Sequence, residues 1–560
     1  MTRPLVTSLL LGTVCATLAF TTACGDQGGG NNTNGGTSGT GPGAGTGGAA
    51  PTAGKGSMTG GTGGAGMPMG GSSGSGTGGS AGTPPMNGGS GGGSGAGTGG
   101  AAGMGGSVNP AGGSAGAAAG SGPVAGMGGT GATGNCMATG VAMPSSDKAT
   151  LGNVFAVTVT TDLAGFDGGQ IDFGLDTMYG YTAPIDMAAG KTILLGMKQN
   201  KTYHYRVTTK AGATGMCVGQ DQTLETGSTI NGLPMATITP TMTPSNVAGG
   251  FMIAEFYGGN KQVPFILDKD YEVVWGYDTK VGQTTRARMS MDGKFMWAAR
   301  ANVPSQKAGM YKVAMDGSSE MDMSSKFPRM NHDFTIIDDE HQTMYFVAYS
   351  NDQGSGCDDI VEYDPVTDMS RIVVNAQKAF PSGPCHCNAI QWSQMDDTLV
   401  VSDLDHMGLF KADRKTGEIK WVLNGGGDND FTGDGSTWTG PEHNFHMMGP
   451  DHLILFNNVV GMGVMSGSGA TSLALEIKLD EAGKKATKMW TYTPTKAIQN
   501  VVMGDAQRMP NGNTIVAFST QGIVHEVDSA GMLVRSISWG TGGAIGYIIA
   551  RPTLYGKPPR

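Results

Sequence analysis

The 560-residue chain is poor in charge: Asp, Glu, Lys and Arg make up 14% of it, against roughly 25% in an ordinary globular protein. Its net charge is −10, and no basic run or basic–aromatic patch interrupts it. That excludes nucleic acid as a partner. Beyond Phe20 there is no long apolar run, so nothing further along is expected to cross a bilayer as a helix. Helical periodicity is nearly absent, which excludes a helical bundle. What is abundant is glycine, with 98 residues concentrated between Gly25 and Asn135.

That stretch is almost entirely Gly, Ser, Thr, Ala, Pro and Met. It offers too little apolar surface to offset the entropy of ordering it, so residues 24–135 are expected to form a disordered tether. Ahead of it, Arg3 and the apolar run Leu5–Phe20 read as an export signal spanning residues 1–23. Thr21-Thr22-Ala23-Cys24 resembles a lipobox. It implies lipidation at Cys24 and an outer-membrane lipoprotein facing the periplasm or the cell surface, held to the membrane by its lipid alone. Cleavage near Ala23 without lipidation is the alternative.

With Cys15 in the signal and Cys24 lipidated, Cys136, Cys217, Cys357, Cys385 and Cys387 remain. In an exported protein they are candidates for disulfides. Cys136 and Cys217 are the only cysteines of their region and are expected to pair. Cys357 is expected to pair with Cys385 or Cys387.

From Asn153 to Glu225, short apolar–polar alternations read as half-buried strands, as at Val157/Val159, Ile171/Phe173 and Tyr203/Tyr205/Val207. The run Leu195–Tyr203 resembles the turn before a tyrosine-corner strand of a fibronectin type III domain. Residues 136–236 are therefore expected to form a fibronectin III-like β-sandwich. Beyond Pro240 a repeat sets in, in which an apolar strand runs into an acidic turn. Its marker aspartates are Asp268, Asp316, Asp364, Asp413, Asp480 and Asp528, stepping by 48, 48, 49, 67 and 48 residues. About 40–50 residues is one four-stranded propeller blade. Six markers predict a six-bladed β-propeller over 237–560, in an all-β chain. The long step implies an insertion of about 19 residues, within Gly425–Gly440 or Val459–Ala470.

A second marker recurs ahead of the inner strands: Asn331-His332-Asp333, Cys385-His386-Cys387-Asn388, Glu442-His443-Asn444 and Gly504-Asp505-Ala506-Gln507-Arg508. Equivalent positions of successive blades converge on one channel, so His332, His386 and His443 are expected to face one another at one mouth. Imidazoles there suit transfer of a small anionic group: donors stabilise charge on its oxygens, and a neutral histidine can hold it covalently. The plainer alternative is that each histidine caps a strand. Soft metal ligands are also present, in Cys385-His386-Cys387 and His443-x-x-His446-Met447-Met448. Strand alternation turns His386 away from the two cysteines, so no metal and no cofactor is expected.

Several segments resemble bacterial aryl-sulfate sulfotransferases: Cys385–Ser402, Lys411–Trp421, Glu442–Asn458 and Gly504–Asn513. The resemblance implies a six-bladed propeller behind a β-sandwich, and ping-pong transfer of a sulfuryl group from an aryl sulfate to a phenol without a nucleotide donor. The family's nucleophile falls on His443, here after Glu442 rather than Gln. Its Trp-x-His-x-Asn segment falls on His386 and Asn388, with Cys385 for the Trp. An earlier His pair keeps only His332. The family's sulfate-binding Arg is replaced by Leu404, which leaves His406 or Arg508 to supply the lost charge. Against this stands a non-catalytic, tethered binding module.

Overall fold

The computed structural model describes residues 136–557 apart from 147–149, 231–232, 234, 242–245, 259–260, 280–283, 301–306, 355, 425–430, 433–441, 459–470 and 541–542. Cys24, the expected tether and nearly all of both candidate insertion stretches lie outside the described residues. Within them the chain is all-β, with eight antiparallel sheets and only short 3-10 turns besides.

Two sheets occupy residues 138–225. One joins Ala138–Pro144, Phe155–Thr161 and Lys191–Leu194; the other is built on Gly168–Gly174 and Thr202–Ala211. Their alternating apolar residues meet in one core of Phe155, Val157, Ile171, Phe173, Tyr203 and Val207. The Tyr203 hydroxyl accepts the Lys198 N–H at 2.9 Å, tying the turn to the strand that follows it. Cys136 and Cys217 form the expected disulfide, clipping the first described residue to a late strand.

The remaining six sheets follow in chain order, each an antiparallel meander of four or five strands. The arrangement is propeller-like. Every marker aspartate ends the third strand of its sheet, counted from the inner edge, or stands in the turn that leads from it to the fourth. There a side-chain oxygen accepts backbone N–H groups two to four residues on, as Asp364 does from Val366 and Asp413 does from Lys415 and Thr416. Asp takes this role because its short carboxylate can close an Asx turn on the chain beyond it. The repeat visible in the sequence is thus the repeat of one turn.

The first sheet is completed from the far end of the chain. Gly543–Ile545 and Ile549–Arg551 both pair with Phe251–Gly258. The last sheet gains Thr237–Pro240 from the start of the region. Segments from opposite ends of this region therefore complete both the first and the last sheet.

The inner strands touch one another in turn and are clamped by polar side chains. Arg286 of Arg286–Met289 binds Asp333 of Met330–Ile336. Asp333 accepts the Ile390 N–H of Cys387–Ser393 at 3.0 Å. Gln391 bonds the backbone of Phe445 and Met447 in Glu442–Gly449. His446 accepts the Arg508 N–H of Asp505–Arg508, and Gln507 bonds Ile548 and Ala550. These clamps satisfy buried backbone groups that no sheet ladder reaches.

Candidate active site

Three successive inner strands break register near their starts. The irregularities fall between Asn331 and Phe334, between Cys387 and Ala389, and between Glu442 and Asn444. A bulge frees a residue from the ladder and re-aims its side chain. The residues freed include His332, Asn388 and His443, at equivalent places in three sheets. His332 also has a left-handed backbone, with φ of 46°, a conformation uncommon for a non-glycine residue and characteristic of functional sites.

Two of the three histidines are in direct contact, and His443 is near enough to both for their charges to interact. His332 Nε2 and His386 Nε2 are 3.2 Å apart, with ring centroids 4.7 Å apart. One of these nitrogens must carry the proton and the other accept it. Burial is the main cause holding the pKa of His332 well below that of a free imidazole; the neighbouring His386 and His443 add to it. Burial likewise lowers His386, while Asp405 and Asp403 pull it upward. Asn388 is fully buried on the same strand as Cys387.

His443 is 2% exposed. Its Nδ1 lies 2.8 Å from Asn458 Oδ1. The Asn458 amide is itself fixed, because its Nδ2 donates to the carbonyls of Asn500 and Met503 at 2.7 and 2.9 Å. The oxygen must therefore face His443, and Nδ1 must carry the imidazole proton. Nε2 is left with its lone pair, buried and without a hydrogen-bond partner among the described residues. Burial pushes the pKa of His443 down to about 4 despite the Asn458 bond. At neutral pH it is a neutral base with an unspent nitrogen, the form a nucleophile needs. The side chain of Glu442 lies outside the described residues.

Charge replacement at Leu404 works out differently from expectation. Leu404 itself adjoins the site, its N–H bonded to the His386 carbonyl at 2.9 Å. His406 is raised in pKa, first by its bond to Asp403, but both ring nitrogens are engaged, by Asp403 and the Ser382 carbonyl. Arg508 is not brought to the histidines. Its guanidinium pairs with Glu476 and Thr514 and stacks over Trp490 at 4.7 Å.

Arg286, which is buried, and Arg288 lie two apart on one inner strand and both bind Asp333, the residue after His332. Sequence reasoning passed over them, although Arg-x-Arg on one face of an apolar strand was a legible signal. Beside Arg286, Glu255 is raised by burial to about 8 and Asp505 to about 6.

Cys357 pairs with Cys385, immediately before His386, and Cys387 is free and buried. With its sulfur in a disulfide, Cys385 is no metal ligand. That disposes of the soft-ligand reading of Cys385-His386-Cys387. It also disposes of the one group of potential ligands among the described residues, Cys385, Asp403 and His406.

Comparison with known proteins agrees with the resemblance read from the sequence. The family model described as Arylsulfotransferase (ASST) matches residues 357–540, less than half of the chain. The match takes in His386, Asn388 and His443 and leaves His332 outside. No curated protein matches. Solved structures similar to the chain include TolB from Acinetobacter baumannii, at 10% identity and TM-score 0.39, covering 63% of this chain and 80% of that one. Another is the β-propeller domain of Myceliophteria thermophila Cps50 (Swd1), at 11% identity and TM-score 0.36, covering 56% and 92%.

Proposed function

We propose that the protein is an arylsulfotransferase-like enzyme that moves a sulfuryl group from an aryl sulfate to a phenol through His443. The observation that carries this reading is the His443 imidazole: its proton is pinned on Nδ1 by Asn458, and Nε2 is buried and unpartnered. In the first half-reaction the Nε2 lone pair attacks sulfur and the bond from sulfur to the aryl oxygen breaks. Asn458 Oδ1 supports the positive charge that grows on the ring. The departing aryl oxide carries the bonding electrons away and takes its proton from solvent. In the second half the acceptor, its proton lost to solvent, attacks the sulfur as its phenoxide. The sulfur–nitrogen bond breaks and the lone pair returns to Nε2.

Asn388 and the two histidines are the donors to the sulfuryl oxygens. With Leu404 in the family's Arg position, this reading has neutral donors where the family has a cation. Loss of one preorganised donor costs about 10²–10³ in rate. We also read the framework as a fibronectin III-like sandwich and a six-bladed propeller, tethered to a membrane through Cys24.

The test is release of phenol from a chromogenic aryl sulfate in the presence of a phenol acceptor. Wild type should turn over and His443→Ala should not. Leu404→Arg should raise turnover, because position 404 adjoins His386. Wild type that is inert across several aryl sulfates would leave a tethered binding module as the better account.

A further inference from the structure

The inner strands run in one direction, with the histidines near their starts. At their other end lies a separate cavity of about 700 Å³, within the range of roughly 300–1,000 Å³ usual for small-molecule sites. Its apolar wall is built largely of thioethers, including Met289, Met447 and Met448, with Trp392 beside them. Met395 stands at the rim, 78% exposed. Thioether side chains adapt to flat and irregular apolar shapes.

The charged lining is of one sign. Among the described residues no Asp or Glu lines the cavity, whereas Arg288 and Arg551 both do, beside the neutral Thr335, Gln391, Ser393, Gln394 and Gln507. Arg288 gives Nη2 to Asp333 and the Ile390 carbonyl, and its Nε has no partner among the described residues. Among the described residues Arg551 is bound only to carbonyl oxygens, those of Ser290, Met291, Thr553 and Gly556, and no carboxylate is hydrogen-bonded to it.

His446 adds a donor. A backbone N–H can only donate, so the 3.3 Å contact from Arg508 N fixes Nδ1 of His446 as the acceptor. The ring proton therefore sits on Nε2. That tautomer presents a donor rather than a lone pair, so it suits an anion and not a metal.

We infer that this cavity is a second ligand site, which takes a small aromatic monoanion with its charged group toward Arg288, Arg551 and His446 and its ring against the methionines and Trp392. It is distinct from the sulfuryl site, because none of His332, His386, Asn388 and His443 lines it.

The test uses 1-naphthoate, with 1-naphthamide as its uncharged counterpart, titrated calorimetrically into the full chain. Wild type should bind the naphthoate at least tenfold more tightly than the amide. Met448→Glu and Met395→Glu each place a carboxylate in or beside the cavity, and each should weaken naphthoate binding about tenfold while leaving the amide unchanged. Met395 is exposed at the rim, so that variant can fold even if a change at Met448 does not. His443→Ala should bind the naphthoate as wild type does. Equal affinity for acid and amide, no binding of the acid, or loss of binding in His443→Ala would each overturn the inference. Because the His443 variant separates the two sites, failure here leaves the sulfuryl-transfer reading standing, and the reverse holds.

Discussion

At His443 two effects compete, and burial wins. The Asn458 bond favours the charged ring, yet removal from water holds the pKa near 4. The base is therefore lost only as pH falls through about 4. Sulfuryl transfer should show its acid limb there and not near 6.5, the value of a free imidazole; a pH–rate profile of phenol release reads this directly. Asn458→Ala frees Nδ1 and lets the proton move to Nε2. That should lower the rate by on the order of 10²-fold or more, as a wrong tautomer does in hydrolytic triads. A loss of stability with an unchanged rate would mean Asn458 only holds its turn. The histidines were legible in the sequence because repetition marks them. Asn458 was visible only as the end of a segment resembling the family, and its effect on the tautomer was not. That depends on where Asn500 and Met503 aim their carbonyls, which no local pattern encodes.

At the scale of strands and sheets, the acidic turns were readable because an Asx turn is a local device that each repeat needs at the same place. The bulges were not. They show only as a register break against a neighbouring strand, and the sequence alone does not give the pairing. The Arg286–Asp333–Arg288 clamp was missed for the same reason, since its members belong to different sheets. Asp333 also accepts the Ile390 N–H, so one carboxylate ties three inner strands. Asp333→Ala would remove the carboxylate that pairs with both guanidinium groups, and breaking a buried pair typically costs about 3–5 kcal/mol. Chemical denaturation should show this as a lower midpoint. A midpoint within error of wild type would mean the clamp contributes little. The pairing of Cys357 with Cys385 rather than Cys387 was likewise left open by parity and resolved by position.

Over the whole molecule, titrating groups buried in the sheets make stability depend on pH in two opposed ways. His443 and His525, each near pKa 4 through burial, take up protons more readily when unfolded. Their contribution is lost as pH falls from about 6.5 toward 4. Glu255, held near 8 by burial, keeps its proton in the fold and releases it on unfolding. Its contribution is lost as pH rises from about 4.5 toward 8. Glu255→Gln keeps the neutral shape and removes that second dependence. The variant should therefore gain on wild type as pH rises from 5 to 7.5, measured by denaturation at both values. A difference independent of pH would place the Glu255 titration elsewhere.

The central claim is that His443 carries the transferred group. Intact-mass analysis and peptide mapping, after incubation with an aryl sulfate and no acceptor, test it most directly. The account predicts one sulfuryl group per chain, located on His443, absent in His443→Ala and discharged by added phenol. No adduct, or an adduct on another residue that survives in His443→Ala, would contradict it.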